Sequence, residues 1–364
     1  MIRVLVVDDS AFMRKVISDI INEDPGMEVI GTARDGEEAL SKIEQLKPDV
    51  VTLDVEMPKL NGIEVLRRIM PSNPVAVVMV SSLTREGADI TIEALTLGAV
   101  DFVAKPTGAI SVSMREMASE LRKKIRAASL ARLVGTSGSL LATLHHAEES
   151  LRRTEERLKG VAGRQQPAST VRVGSPSEGV VVIGSSTGGP SALQQVIPNL
   201  PESLPAGVLI VQHMPPGFTR SLAQRLAQMS RLKVSEARAG DKIEPGVALV
   251  APGGYHMVVN RDKAVSLDTS PYVHGVRPAV DVTMESAARV FGNRCLGVVL
   301  TGMGTDGTRG ASLIRRAGGK VIAQDEMTSV VYGMPRSVAQ AGLADRILPI
   351  GDVAAAIAEE VQAT

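Results

Sequence analysis

The sequence predicts an α/β protein built from two doubly wound parallel sheets in tandem. Three observations carry this. From residue 1 to about 125, and again from about 180 to 350, short β-branched runs alternate with helical patterns, as parallel strands joined by crossover helices do. Many of those runs end in residues able to do chemistry, and such sheets collect functional groups beyond the carboxyl ends of their strands. Between the two alternations Ser, Gly, Gln and Pro accumulate, with no strand signal before Val180. A chain of 364 residues suits two domains, and 44% hydrophobic residues let each bury a core. The expected divisions are 1–125, 126–178 and 179–360.

In the first unit, strands are expected at 4–7, 27–32, 50–53, 75–80 and 100–104, with helical patterns such as 35–45 and 87–97 between them. Asp8 and Asp9 follow the first strand, Asp54 the third, Ser81 the fourth and Lys105-Pro106 the fifth. Three carboxylates at one edge repel unless a hard cation sits among them, and oxygen ligands of this kind suit Mg²⁺. A nearby lysine and hydroxyl can bind the oxygens of a phosphoryl group, and a carboxylate can accept one. Any one of these residues alone would be a cap or a loop charge. Five such residues at four strand ends of one sheet are not explained that way.

Val6-Val7-Asp8-Asp9-Ser10, Asp54-Val55-Glu56-Met57-Pro58, Asn61-Gly62 and Lys105-Pro106 resemble the receiver domain of bacterial response regulators over about 120 residues. The resemblance implies a flavodoxin-like fold in which Asp54 accepts phosphate from a chemotaxis histidine kinase. Asp8, Asp9, Asp54 and the backbone carbonyl of Glu56 would hold Mg²⁺. Ser81, Phe102 and Lys105 fall where that family senses the phosphoryl group, Phe102 standing where tyrosine is often found.

In the connector, Leu144, Leu151 and Leu158 repeat every seven residues, and Glu148/Arg152 and Glu149/Arg153 are helix-supporting pairs. An amphipathic helix over 140–158 is expected between flexible arms. Three repeats are at the lower limit for a coiled coil, which favours a linker helix lying on its own domains. His145 and His146 face different ways on such a helix and do not make a metal site.

The second unit is expected to have strands at 180–183, 207–212, 248–251, 297–301 and 320–323. The first ends in Gly184-Ser185-Ser186-Thr187-Gly188-Gly189, a strand–turn–helix junction with Ser186 in a Gly-x-Ser-x-Gly frame. A sharp bend lifts that hydroxyl out of the sheet, and backbone N–H groups at the helix start can stabilise negative charge. The bland reading is a glycine-rich turn that binds phosphate or merely connects. His213 ends the second strand, and a glycine-rich loop with Asp306 follows the fourth, so serine, histidine and aspartate can meet at one edge. His256 and His274 are rival bases, although Pro252-Gly253-Gly254-Tyr255-His256 is more easily explained as a strand-connecting turn, and Asp241, Asp281 and Asp325 rival Asp306. Strand-end position favours His213 and Asp306.

Ile183-Gly184-Ser185-Ser186-Thr187-Gly188-Gly189, Gln212-His213-Met214-Pro215-Pro216-Gly217-Phe218-Thr219 and Leu300-Thr301-Gly302-Met303-Gly304-Thr305-Asp306-Gly307 resemble the catalytic domain of the chemotaxis protein-glutamate methylesterases. Arg277-Pro278-Ala279-Val280-Asp281 and Gly333-Met334-Pro335 also fit. The resemblance implies a Rossmann-like sheet carrying Ser186 as nucleophile, His213 as base and Asp306 as its partner. Backbone N–H groups of Thr187 and Met303 would face the oxyanion, and no cofactor serves the hydrolysis. Implied substrates are glutamate γ-methyl esters, and glutamines, of methyl-accepting chemoreceptors. The family tends to place a histidine directly before the arginine, where this chain has His274-Gly275-Val276-Arg277.

Other classes fare worse. Lys+Arg and Asp+Glu are both 40, so no net charge favours nucleic acid or an anionic membrane. A receiver joined to a nucleotide-binding or interaction module is the alternative, but Gly184-x-x-x-Gly188-Gly189 lacks the dinucleotide glycine spacing. The lone Cys295 begins a buried strand and reads as a packed thiol. With no signal peptide and no apolar run long enough for a membrane span, a soluble cytoplasmic protein is expected.

Overall fold

The computed structural model describes residues 1–105, 110–131 and 178–363. The expected connector helix over 140–158 lies outside the described residues.

The first unit is a five-stranded parallel sheet in the order β2-β1-β3-β4-β5. Its strands are β1 (Ile2–Val7), β2 (Met27–Ala33), β3 (Val50–Asp54), β4 (Ala76–Ser81) and β5 (Asp101–Ala104). Helices α1 (Ala11–Asn22), α2 (Gly36–Leu46), α3 (Gly62–Ser72), α4 (Arg85–Thr96) and α5 (Ile110–Ser129) cover its two faces. Every residue of β3 and β4 is buried, as strands covered on both sides must be. The helix starts follow local chemistry. Ser10, Asp35, Asn61 and Thr84 each accept a backbone N–H at the start of α1 to α4, and Asn61 with Glu64 closes a capping box.

The second unit is a seven-stranded parallel sheet in the order β14-β13-β12-β6-β7-β9-β8. It comprises β6 (Gly179–Ser185), β7 (Ala206–Gln212), β8 (Lys233–Glu236), β9 (Val247–Val250), β12 (Cys295–Val299), β13 (Lys320–Gln324) and β14 (Arg346–Leu348). An antiparallel hairpin, β10 (His256–Val259) with β11 (Val265–Asp268), stands beside it. The helices are α6 (Gly189–Val196), α7 (Phe218–Met229), α8 (Val280–Phe291), α9 (Thr308–Arg316), α10 (Met334–Gln340) and α11 (Ile350–Gln362). The chain winds outward from β6 through β7, then returns to β6's other side with β12. That reversal is where doubly wound sheets open a crevice.

The two units pack on one another. Phe102 of β5 stacks on Phe218 of α7 with ring centroids 4.3 Å apart, and both are buried. Beside them Thr187 Oγ1 donates to Asp101 Oδ2 at 2.5 Å, and the Gly188 N–H donates to the Val100 carbonyl at 3.2 Å. Asp101 is held in turn by Lys124, whose Nζ lies 3.1 Å from Oδ1 and 4.7 Å from the Phe102 ring centre. Burial works against the Lys124 charge, but Asp101 and Glu120 hold its ammonium above the ordinary lysine value. The four-residue strand β5 thus touches the turn after β6 and the start of the helix that follows β7.

Candidate active site

Ser186, His213 and Asp306 follow β6, β7 and β12, three adjacent strands at the reversal point. Ser186 leaves the sheet in a turn fixed from three sides. Its N–H donates to the Thr301 carbonyl at 3.0 Å, while its own carbonyl accepts the Gly189 N–H at 2.8 Å and Gln212 Nε2 at 2.9 Å. Gln212, buried at the end of β7, also donates to the His213 carbonyl at 3.3 Å and accepts Ser185 Oγ at 2.7 Å. One amide therefore ties the serine turn to the histidine turn. A methyl group on Gly189 would lie 2.0 Å from Gln212 Oε1, so only glycine lets the helix start this close.

His213 Nε2 lies 2.8 Å from Asp306 Oδ2. With Nε2–H donating to that carboxylate, Nδ1 is the ring nitrogen left for a proton from Ser186. Asp306 is buried, and its oxygens accept the Val280, Asp281 and Gly307 N–H groups at 2.7, 2.9 and 2.9 Å. Two of those donors open α8, so a helix N-terminus holds the anion. Burial works against the Asp306 charge, but the His213 bond and charge and those N–H groups outweigh it. The carboxyl is held below the ordinary aspartate value.

The glycine-rich loop after β12 lies against the serine. A methyl on Gly302 would meet Met334 Sδ at 2.4 Å and Ser186 Cβ at 2.8 Å. Thr301 Oγ1 donates to the Thr187 carbonyl at 3.0 Å and accepts the Val331 N–H at 2.9 Å, bracing both turns. The N–H groups of Thr187 and Met303 meet no acceptor among the described residues.

Three of the rival residues lie elsewhere, whereas Asp281 and His274 stand against Asp306. His256 is wholly buried at the start of β10, in a strand rather than the expected turn. Its Nδ1 accepts the Ala279 N–H at 3.2 Å and its Nε2–H donates to the Pro271 carbonyl at 3.1 Å. Asp241 and Asp325 close their own turns on the N–H groups of Arg238 and Thr328. Asp281 is buried next to Asp306, with His274 Nε2 at 2.8 Å from its Oδ2. Burial pushes the Cys295 thiol up to about 12, leaving it inert at neutral pH.

In the first unit, oxygens of Asp8, Asp9 and Asp54 lie within 4.8 Å of one another. Lys105 Nζ is 2.7 Å from Asp54 Oδ2 and 3.0 Å from Asp8 Oδ2, yet the buried Asp8 oxygen receives no well-directed hydrogen bond. An all-carboxylate cluster with an unsatisfied buried oxygen fits Mg²⁺. Glu56 is exposed beside it. Burial pushes the Asp54 carboxyl up to about 6, against the Lys105 hydrogen bond and with help from the Asp8 charge. Ser81 is buried and donates to the Gly87 carbonyl of α4 at 3.1 Å, while Phe102 lies at the interface with α7.

Residues 4–114 match the response regulator receiver domain, and residues 181–357 match the CheB methylesterase family. A protein-glutamate methylesterase/protein-glutamine glutaminase of Symbiobacterium thermophilum is 55% identical over 99% of this chain and 97% of its own length. This chain is a CheB methylesterase with an N-terminal receiver domain. The CheB relative in Pyrococcus abyssi that carries the same protein-glutamate methylesterase/protein-glutamine glutaminase description is 48% identical over 99% of this chain and 94% of its own. The crystal structure of the Thermotoga maritima CheB methylesterase catalytic domain is 48% identical, spanning 50% of this chain and 97% of that one with a TM-score of 0.49. The alternative of a receiver joined to a nucleotide-binding module without hydrolase activity is set aside.

Proposed function

We infer that this receiver-regulated methylesterase and glutaminase of chemotaxis adaptation works through Ser186, His213 and Asp306. His213 Nδ1 takes the Ser186 proton as Oγ attacks the γ-carbonyl of a glutamyl methyl ester. Thr187 and Met303 N–H groups stabilise the oxyanion. The imidazolium returns its proton to the leaving methoxide, which departs as methanol; from a glutamine amide, ammonia departs. Water, deprotonated by His213, then splits the acyl-serine to glutamate and free Ser186. Asp306 fixes the tautomer and stabilises the imidazolium. The observation that carries this reading is the 2.8 Å His213–Asp306 pair, with Ser186 tied to the His213 turn through Gln212.

The substrates are methylated and amidated side chains of methyl-accepting chemoreceptors, and the phosphodonor is the chemotaxis histidine kinase. Asp54 accepts the phosphoryl group, and Lys105, Ser81 and Phe102 respond to it. Asp8, Asp9, Asp54 and the Glu56 carbonyl would hold Mg²⁺, which supplies charge neutralisation for phosphoryl transfer. Among the described residues no helix is long and apolar enough to cross a membrane. Action on receptor tails from the cytoplasm suits this.

The deciding experiment is methanol release from methylated receptor membranes. Ser186→Ala is expected to cut turnover by about a thousandfold or more while keeping the wild-type circular dichroism spectrum and melting point. Near wild-type release by that variant would refute the serine mechanism.

A further inference from the structure

We propose that His256 is a positioning residue for the hydrolysis: from strand β10 it seats the N-terminus of α8, and through it the Asp306 carboxylate that orients His213. This role rests on the serine mechanism above. Its starting point is a helix without a cap of its own. Ala279 precedes α8 and offers no side chain to the orphan N–H groups of the first turn. Two remote residues take that place. The Ala279 N–H donates to His256 Nδ1 at 3.2 Å. The next two N–H groups, of Val280 and Asp281, donate to Asp306 Oδ2 and Oδ1 at 2.7 and 2.9 Å. Three successive backbone donors are thus divided between one imidazole and the carboxylate that holds another, His213, at 2.8 Å.

His256 is suited to this. Its ring is wholly buried, and one tautomer serves both nitrogens: Nδ1 accepts from Ala279 while Nε2–H donates to the Pro271 carbonyl at 3.1 Å. The ring therefore also ties down the loop that leads into α8. Further along, β10 is stitched to α8 twice more. Thr283 Oγ1 donates to the Met257 carbonyl at 2.7 Å, and Ser286 Oγ accepts the Val259 N–H at 3.0 Å. Ala279, Thr283 and Ser286 are spaced by four and then three residues, so they line one face of the helix. The hairpin, which adds no strand to the seven-stranded sheet, braces α8 along that face. Of these three rungs, only the one at His256 reaches the residue next to the Asp306 donors.

The consequence is geometric. Asp306 is gripped from the α8 side, so a shift of the helix start moves the carboxylate and, with it, the His213 ring. A misplacement of about 1 Å at a reacting group can cost a hundredfold in rate. Substrate binding does not pass through these bonds. The loss therefore belongs in kcat and not in KM.

Two amides test this in full-length protein, by methanol release from methylated receptor membranes. His256→Asn puts an amide oxygen near the place of Nδ1 and is expected to keep kcat within about threefold of wild type. His256→Gln puts its amide at the level of Nε2, so Pro271 keeps a donor while the Ala279 N–H loses its acceptor. It is expected to lose about tenfold or more in kcat with KM within about twofold of wild type. A side chain that merely fills the slot would favour glutamine, the closer match in size. Thr283→Val cuts the next rung and is expected to lower the melting point with kcat unchanged. Added to Asp306→Ala, His256→Gln is expected to cost less than about twofold more, because both act on one carboxylate. A kcat for His256→Gln at or above that of His256→Asn, an equal loss in Thr283→Val, or losses that multiply in the double variant would each overturn the role. Ser186→Ala, run in parallel, separates the two levels: with that variant inactive, any of these results refutes only the positioning by His256, whereas an active Ser186→Ala refutes the serine mechanism and this role together.

Discussion

At the scale of single residues, the two sites place buried aspartates in opposite circumstances. Asp306 is surrounded by N–H groups and an imidazole that favour its charge, whereas Asp54 shares a dry cluster with Asp8 and is pushed up to about 6. The first is a permanent anion. The second holds its charge only against burial and a neighbouring carboxylate, which a bound cation would relieve. Mg²⁺ binding to the folded receiver is therefore expected to raise its melting temperature at pH 7.5. The gain should shrink as pH falls through about 6, because a proton then competes for Asp54. It should vanish in Asp54→Ala. A scan of melting point against Mg²⁺ at pH 7.5 and 5.5 measures both; an equal gain at the two pH values would contradict the raised Asp54.

At the scale of elements, the turns after β6 and β12 are packed at glycine distance. A Gly302→Ala methyl has no room between Met334 and Ser186, so the serine turn must move. Overpacking of this kind costs about 1–3 kcal/mol, and a misplacement of about 1 Å at a reacting group can cost a hundredfold in rate. Gly302→Ala is therefore expected to lose at least tenfold in kcat while melting only a few degrees lower. Unchanged kcat would show that the contact does not position Ser186.

The same elements show what the chain made legible. Positions at the ends of long, apolar central strands were readable, since burial on both faces writes a continuous β-branched run that shows where the strand stops. Asp8, Asp54 and Ser186 are of this kind. The edge strands β8 and β14 and the β10–β11 hairpin were missed, because they are only three or four residues long, too short for a strand pattern to stand out. Gln212 as a clamp left no local signal, because the Ser186 carbonyl it holds lies 26 residues away, and Asp281 read only as a rival to Asp306 because their contact spans 25 residues, so only the folded chain reveals both. His256 looked like a turn residue because glycines precede it, yet its ring fills a buried slot between the hairpin and α8.

At the scale of the whole molecule, the receiver meets the catalytic unit through β5 and α4, next to the turn that carries Ser186. The Phe102–Phe218 stack is worth roughly 1 kcal/mol beyond its area, and the Thr187–Asp101 bond adds a charge-assisted contact. Interfaces of this strength can be rebalanced by the phosphorylation proposed at Asp54, which Lys105 links to the end of β5. Full-length Phe102→Ala, unphosphorylated, is expected to release methanol several-fold faster than the unphosphorylated wild type. It should approach the rate of a 173–364 fragment. Equal rates for variant, fragment and wild type would mean that the receiver does not restrain the esterase through this contact.

The Thr187–Asp101 bond has a converse. Thr187 gives its side chain to the receiver, and in the mechanism proposed above it gives its backbone N–H to the reacting carbonyl, so receiver and substrate would draw on one residue. Thermodynamic reciprocity then forbids one-way signalling: whatever factor by which an occupied Asp54 favours substrate binding, an occupied Ser186 pocket must favour the phosphoryl-ready receiver by the same factor. A receptor tail still to be demethylated would in this sense help to keep its own enzyme switched on, and an adapted receptor would let it lapse.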